Sequence, residues 1–391
     1  MKWKTIRAED YCDSVRDGTH DTPKPVTIGY KLVTGKHIQH GQIDPTEAYY
    51  ISENDYNKIN ERSKVEKWDV LMSMIGNGLG RSAVVKNDPN YAIKNIALFK
   101  VGDEKKAKWL HYYLSSPQGQ GFIYNSLQGS GQPFISLSFI RDFPIPFPPL
   151  NYLENAVTIL EAYDKLIENN QKQIKLLEEM AQRLYKEWFV DLRFPDWENT
   201  EIVNGVPVGW KKTKLSDIAD VIMGQSPKSE FYNTNKQGLP FHQGVGSYGT
   251  RFVIDDTYST SFTKIAEAGS ILFSVRAPVG RLNLTKNKIV IGRGLSAINH
   301  KSGLQSFLFY MLKERFFKDN IVGNGSIFAS ISKEELLSQQ FIIPIEELAV
   351  KYNLIASEID NKIEILDSQI KLLTEARDRL LPKLMSGELE V

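Results

Sequence analysis

With 391 residues and 41% apolar side chains, the chain can form two to four domains, each with its own core. Its one cysteine, Cys12, excludes a disulfide framework and a cysteine-based zinc site and fits a reducing compartment; no apolar run reaches the ~18 residues of a membrane span, and MKWKTIRAED lacks a signal-peptide core, so a cytoplasmic protein without membrane contact is expected. The net charge of +1 conceals an alternation: +3 over residues 1–149, −5 over 150–201, +7 over 202–345 and −4 over 346–391, so two basic bodies each precede an acidic tail.

In chain order, Lys67 to Val85 reads as paired strands: Val70 to Ser73, a glycine-rich turn at Gly76 to Gly80, then Ala83 to Val85. Gln39-His40-Gly41-Gln42 reads as a loop, Ala92 to Phe99 as one further strand and Ala107 to Leu114 as a short helix. The proline-rich Pro144 to Pro149 ends the first body. Its Phe147-Pro148-Pro149 resembles the Asp/Asn-Pro-Pro-aromatic loop of amino-methyltransferases, but the residue that would hold a target amine is missing, and the stretch reads as a linker. From Leu153 an unbroken a/d heptad follows, with Leu160, Ile167, Ile174, Leu177 and Leu184 in its seam and Asn170 as a polar core position. The second body repeats the pattern: Ile271 to Ser274, a turn at Ala277 to Gly280, Leu282 to Leu284, a strand from Ile289, a helix over Gln305 to Phe317, and an exit at Pro344. A second heptad seam then runs through Ile359, Ile363, Leu366, Ile370, Leu373 and Leu380. Each tail of roughly 38 residues makes a rod of about 57 Å.

The two halves share text as well as pattern. Gln173-Ile174-Lys175-Leu176-Leu177 returns unchanged as Gln369 to Leu373, an offset of 196; GSGQPFISLS at 129–138 returns as GNGSIFASIS at 323–332, and Trp3-Lys4 as Trp210-Lys211. The first copy is expected to start close to Met1, without a counterpart of Val203 to Gly209. A repeat this long is a duplicated domain with its own long helix, not a solenoid of short units. The rods are each other's natural partners. A two-fold axis across them makes them antiparallel and sets the basic bodies at opposite ends.

No motif in the sequence points to chemistry of its own. There is no P-loop and no histidine-glutamate metal arrangement, and the Gly76 to Gly80 turn is matched by a proline-containing turn unsuited to cradling phosphate. None of the six histidines recurs at its equivalent, so they read as solvated or ligand-facing. No cofactor is expected.

The bodies instead offer polar side chains on turn-rich segments. In the first these are Arg16, Thr19, His20, Lys24, Lys36, His37, Asn77, Arg81, Ser130 and Gln132. In the second they are Gln225, Ser226, Lys228, Gln243, Tyr248, Arg251, Arg276, Arg281, Asn324 and Ser326. Arginine and lysine suit phosphate or guanine, and glutamine and asparagine suit adenine. The scaffold repeats while these loops do not, so two unlike readers on one symmetric frame would take two unlike half-sites of double-stranded DNA.

Taken together, the chain resembles the specificity subunits of Type I restriction–modification systems over essentially its whole length. The resemblance rests on Asp17-Gly18-Thr19-His20 with Pro23 and Gly41-Gln42-Ile43-Asp44, on Gly209-Trp210, Gly224-Gln225-Ser226-Pro227 and Gly238-Leu239-Pro240-Phe241, and on the helix ends Leu176 to Leu184 and Leu372 to Leu380. It implies an α+β fold, with two mixed α/β target recognition domains (1–149 and 195–345) and two long antiparallel coiled-coil helices (150–194 and 346–391) about an internal pseudo-two-fold axis. It further implies a non-catalytic subunit that reads a bipartite DNA site, with a spacer set by the helices, and recruits two methyltransferase subunits and restriction subunits. The alternatives are a self-contained DNA methyltransferase and a coiled-coil scaffold without a DNA role.

Overall fold

The computed structural model describes residues 3–76, 78–127, 133–316 and 330–391. Contacts divide the chain into two units: residues up to Asn169 together with Gln369–Val391, and Asn170–Ser368.

The first unit runs β1 (Lys4–Arg7), β2 (Ser14–Asp17), β3 (Tyr30–Val33), β4 (Ile38–Gln39), β5 (Gln42–Ile43), α1 (Glu53–Ser63), β6 (Val70–Ser73), β7 (Ser82–Val84), β8 (Tyr91–Ile93), β9 (Ile96–Lys100), α2 (Glu104–Ser115), α3 (Pro117–Asn125) and β10 (Pro144–Phe147), and then enters the long helix α4 (Leu150–Phe189). The central sheet has the order β2-β9-β6-β7, antiparallel throughout. Its strands are apolar on both faces because both are covered. Val70, Met72, Ala97 and Phe99 pack in one core with Trp109 of α2, while Leu71, Ala83, Ile96 and Leu98 alternate onto a second core with Val33 and Ile38. Each fully buried large side chain contributes about 1.5–3 kcal/mol. Helix α2 starts where Asp103 accepts a hydrogen bond from the Lys106 amide at 2.9 Å, satisfying an otherwise unpaired donor.

The second unit repeats this plan with β11 (Lys211–Lys214), β12 (Ala219–Met223), β13 (Leu239–His242), β14 (Ile271–Ser274), β15 (Leu282–Leu284), β16 (Ile289–Ile291), β17 (Leu295–His300), α5 (Gln305–Phe316), β18 (Gln340–Ile343) and α6 (Glu346–Ser386). Its sheet order β12-β17-β14-β15 matches β2-β9-β6-β7 strand for strand. The parallel pair β13–β16 matches β3–β8, and the antiparallel pair β11–β18 matches β1–β10.

Three local expectations are corrected. The run Ala92 to Phe99 is two strands, β8 and β9, turned apart at Lys94-Asn95, where Asn95 has φ 54°. Gln39 to Gln42 is a tight hairpin rather than a loop, with positive φ at both His40 (50°) and Gly41 (71°), the signature of a primed two-residue turn. The proline-rich exit is strand β10, antiparallel to β1 from Lys4↔Phe147 to Arg7↔Pro144. It tolerates Pro144 and Pro146 because, among the described residues, its other edge has no partner strand.

Helices α4 and α6 contain 40 and 41 residues. In the first unit Tyr152, near the start of α4, donates to the Leu384 and Leu389 carbonyls near the end of the chain at 3.1 and 2.7 Å, while Asp164 meets Arg377 at 2.8 Å. In the second unit Tyr352 donates to the Ala181 carbonyl at 2.9 Å, and Arg251 bridges Glu178 and Asp360. Rising numbers on one helix meet falling numbers on the other, so the helix segments of each unit are antiparallel. The heptad seam is buried as its spacing requires: Leu160, Ile167, Ile174, Ile359, Ile363 and Leu366 are buried, and Leu177, Leu184, Ile370, Leu373 and Leu380 are half-buried. Asn170 is buried as well. Leu153, Ala156 and Leu160 also join the core around Trp109, so the first turns of α4 serve the sheet and the helix pair together.

Candidate nucleic-acid interface

The antiparallel order brings the C-terminal ends of β2 and β6 and the N-terminal ends of β7 and β9 to one end of the first sheet. The loops that leave this end are stitched by main-chain bonds: Gly18 N–H to Ile96 at 2.9 Å, Thr19 N–H to Ile93 at 3.0 Å, Asn95 N–H to Thr19 at 3.1 Å and Met74 N–H to Asn95 at 3.3 Å. The second sheet does the same at its matching end: Gly224 N–H to Leu295 at 2.9 Å, Gln225 N–H to Ile291 at 2.9 Å, Val275 N–H to Gly294 at 2.9 Å and Gly294 N–H to Gln243 at 3.1 Å. Both crossings depend on a glycine for close approach. A Cβ on Gly18 would sit 2.3 Å from the Ile93 oxygen, and one on Gly224 2.1 Å from the Gly292 oxygen.

The side chains on these equivalent frames differ. In the first unit the His20 ring lies between Asn95 Oδ1 (2.8 Å) and Asp17 Oδ2 (2.9 Å). Asp17 also pairs with Arg62, and Lys94 donates to Thr22 Oγ1. In the second unit Ser226 donates to Gln243 Oε1 at 2.7 Å and accepts from the Arg293 amide at 3.2 Å. Beside the Gly76–Arg81 turn the first unit has a groove of ≈ 1240 Å³, lined by the exposed Gln39, His40, Arg81 and Tyr124 among others.

The candidates separate accordingly. Thr19 and His20 meet the β8–β9 turn, Lys36 lies in the turn after β3, and Arg81 faces the groove. Lys24 is exposed farther along the loop from β2, and Arg16 lies on β2 and donates to the Arg62 carbonyl at 2.8 Å. Gln225, Ser226 and Gln243 converge in the second unit, Lys228 is exposed just beyond, and Arg276 and Arg281 flank the β14–β15 turn. Asn77, Ser130, Gln132, Asn324 and Ser326 lie outside the described residues.

Three candidates are corrected. His37 is buried, its Nδ1 accepts from the Thr34 amide at 2.9 Å, and burial lowers its pKa. The Tyr248 hydroxyl is buried, and its ring packs on the Leu272–Ile291 core. Arg251 is 3% exposed, with its guanidinium committed to Asp360 and Glu178. The expectation of solvated histidines also fails at His242, which is fully buried between Ser247 and Asp255. His37 and His242 fold inward to close their own turns, through Thr34 and Ser247, whereas Tyr248 packs on the core and Arg251 reaches carboxylates on the long helices.

Sequence reasoning passed over Arg62, Lys94, Asn95, Arg293 and Tyr124. The usable signals were an asparagine, tolerant of positive φ, inside an apolar run, and the Gly292-Arg293-Gly294 tripeptide. Among the described residues no group of three or more His, Cys, Asp or Glu is placed to hold a metal ion. Nor is any helix long and apolar enough to cross a membrane.

Two copies of one mixed domain, each presenting different polar loops from the same sheet end and each feeding a long helix, make a duplicated domain-and-helix scaffold. The family model for the type I restriction modification DNA specificity domain matches residues 2–179 and again 207–375, and the chain belongs to that family. Its role is accordingly that of a non-catalytic DNA sequence-recognition subunit, which assembles with methyltransferase and restriction subunits. Among relatives, the chain is 28% identical to a putative type I restriction enzyme specificity subunit, MjaX, of Methanocaldococcus jannaschii, covering 100% of this chain and 94% of that one. It is 27% identical to the MjaIX specificity subunit of the same organism, over 80% and 76% of the two chains. The fold matches the S subunit of a type I restriction–modification system from M. genitalium, with TM-score 0.58, 16% identity and coverage of 98% and 96%.

Proposed function

We propose that the polar end of each sheet reads one half of a bipartite duplex target. Residues 1–149 and 195–345 act as the two recognition domains, and 150–194 and 346–391 as the helices that set the spacer. The reading is carried by one observation: strand order and loop stitching repeat between the copies, while the side chains at the stitched end do not. In the first domain Thr19, His20, Lys94 and Asn95 are the candidate base-edge and phosphate contacts, with Gln39, His40 and Arg81 beside them in the groove. In the second, Gln225, Ser226, Gln243 and Arg293 take these roles.

Both helices offer a surface for the protein partners. Leu176 and Leu372 occupy the same place in the repeated QIKLL and are 64% and 65% exposed on otherwise acidic tails. Exposed leucines at matched positions suit a pair of protein partners better than DNA. The working compartment is the cytoplasm, where host DNA and a reduced Cys12 coexist.

The test is binding-site selection with the assembled methyltransferase complex. Substituting Thr19 and His20 with alanine should alter preference in one half of the selected sequence, and substituting Gln243 and Arg293 should alter the other half. If both pairs change the same half, or neither changes any base, the assignment fails.

A further inference from the structure

Each long helix carries an aspartate at the same point of the repeat. Asp164 of α4 and Asp360 of α6 are 196 residues apart, the offset that relates the two QIKLL segments. Both accept a hydrogen bond from a tyrosine of the short helix beneath: Tyr112 to Asp164 at 2.6 Å and Tyr310 to Asp360 at 2.8 Å. Both also hold an arginine, but the two arginines come from different places.

In the first unit the arginine belongs to the helix pair itself: Arg377 Nη1 donates to Asp164 Oδ1 at 2.8 Å. Its counterpart in the other helix, 196 residues earlier, is Ala181, which is fully buried. In the second unit Asp360 is met instead by Arg251, from the loop after β13. No arginine occurs in the corresponding stretch 34–49 of the first copy. Arg251 also lies 3.4 Å from Glu178 of α4, and its guanidinium carbon is 4.1 Å from the centre of the Phe309 ring. Burial works against its charge, and the carboxylate of Asp360, with Tyr310 and Glu178, outweighs that and raises its pKa.

The loop that supplies Arg251 reaches the polar end of the sheet. Its first residue, Gln243, accepts from Ser226 and from the Gly294 amide. Its later part is zipped to β15, with Leu284 N–H to Arg251 at 3.0 Å and Val253 N–H to Leu284 at 3.0 Å. One short segment thus joins the candidate base-reading end to the helix pair through a buried, charge-assisted contact. The equivalent hairpin of the first copy, β4–β5, ends in the exposed Gln39 and His40.

We propose that Arg251 is a positioning residue for the second recognition domain: its bond to Asp360 fixes the loop that presents Gln243, and so the selectivity of one half-site. The first domain has no such tether, because Arg377 has taken over the neutralisation of Asp164. This inference rests on the reading of the sheet ends as DNA readers.

The experiment uses the assembled complex, with site selection and thermal unfolding measured on the same preparations. Arg251→Ala should lower discrimination between the best and second-best base about tenfold in one half-site, the half that Gln243→Ala also affects, and leave the other half unchanged. Arg251→Ala combined with Ala181→Arg moves the arginine to the place it occupies in the first copy. That variant should regain thermal stability while its half-site stays relaxed. If selectivity returns with stability, Arg251 only neutralises Asp360 and the proposal fails. Should the added arginine prevent folding, Arg251→Met with Asp360→Asn removes both charges, and a fully selective complex would again refute the tether. If the parent complex selects no bipartite sequence, the proposed function itself fails, irrespective of Arg251.

Discussion

Lys24, Lys36 and Arg81 are exposed cations at the polar end of the first domain whose side chains make no ion pair or hydrogen bond among the described residues, whereas Lys94 donates to Thr22 and Arg16 to the Arg62 carbonyl. Arg62 is equally exposed but is spent on the buried carboxylate of Asp17. If the three free cations contact phosphates, removing them by alanine substitution lowers the salt dependence of duplex binding by about 0.9 per contact, or about 2.7 in log–log slope. Between 50 and 200 mM salt the parent complex should then lose about 40-fold more affinity than the triple variant, with the variant already weaker at low salt. The cost to stability should stay within about 0.5 kcal/mol, since none of the three is buried. The assay is fluorescence anisotropy of the assembled complex on a labelled duplex at several salt concentrations. An unchanged slope would refute the phosphate assignment. A changed base preference at constant slope would make these residues base readers, and a drop as large in Arg62→Ala would show that the ion pair with Asp17 does not define which cations are free.

Leu160→Ala should cost about 2.7–5 kcal/mol by denaturant unfolding, because the side chain is fully buried, whereas Leu176→Ala on the same helix should cost about 0.5 kcal/mol or less; equal costs would contradict the seam register. His111 is buried against Ser82, and burial lowers its pKa to about 4. The folded ring therefore stays neutral while the unfolded chain takes up a proton below about pH 6.5, so stability is full above that pH and falls by up to about 1.4 kcal/mol per unit as pH drops toward 4. Chemical denaturation across this range should show a shallower dependence in His111→Gln, and identical slopes would exclude the histidine as the cause. Inserting one heptad in both α4 and α6 adds about 10 Å to each helix, equal to about three base pairs. Sequencing of modified sites should show a longer spacer between unchanged half-sites, and a constant spacer would remove the helices as its determinant.

The duplicated frame was legible because it is written in period and spacing. Val70 to Met72 and Ile271 to Phe273 are apolar and buried throughout, and the heptad positions from Leu160 to Leu380 are buried or half-buried. The sites were less legible because partner choice is tertiary. Arg251 and Arg81 look alike on turn-rich segments, yet one finds Asp360 more than 100 residues away and the other finds solvent. The strand nature of Pro144 to Phe147 was hidden by its prolines, whose missing amides matter only where a second partner strand would lie. The convergence of Lys94, Asn95 and Arg293 on the polar ends follows from strand order, which residue type does not reveal.

Sequencing the modified bases of cells that carry this chain with its methyltransferase reads both half-sites and the spacer between them in one measurement. The expected result is one chain-dependent motif made of two unlike half-sites separated by a fixed, unread spacer. A contiguous motif, two identical half-sites, or modification that persists without the chain would contradict it.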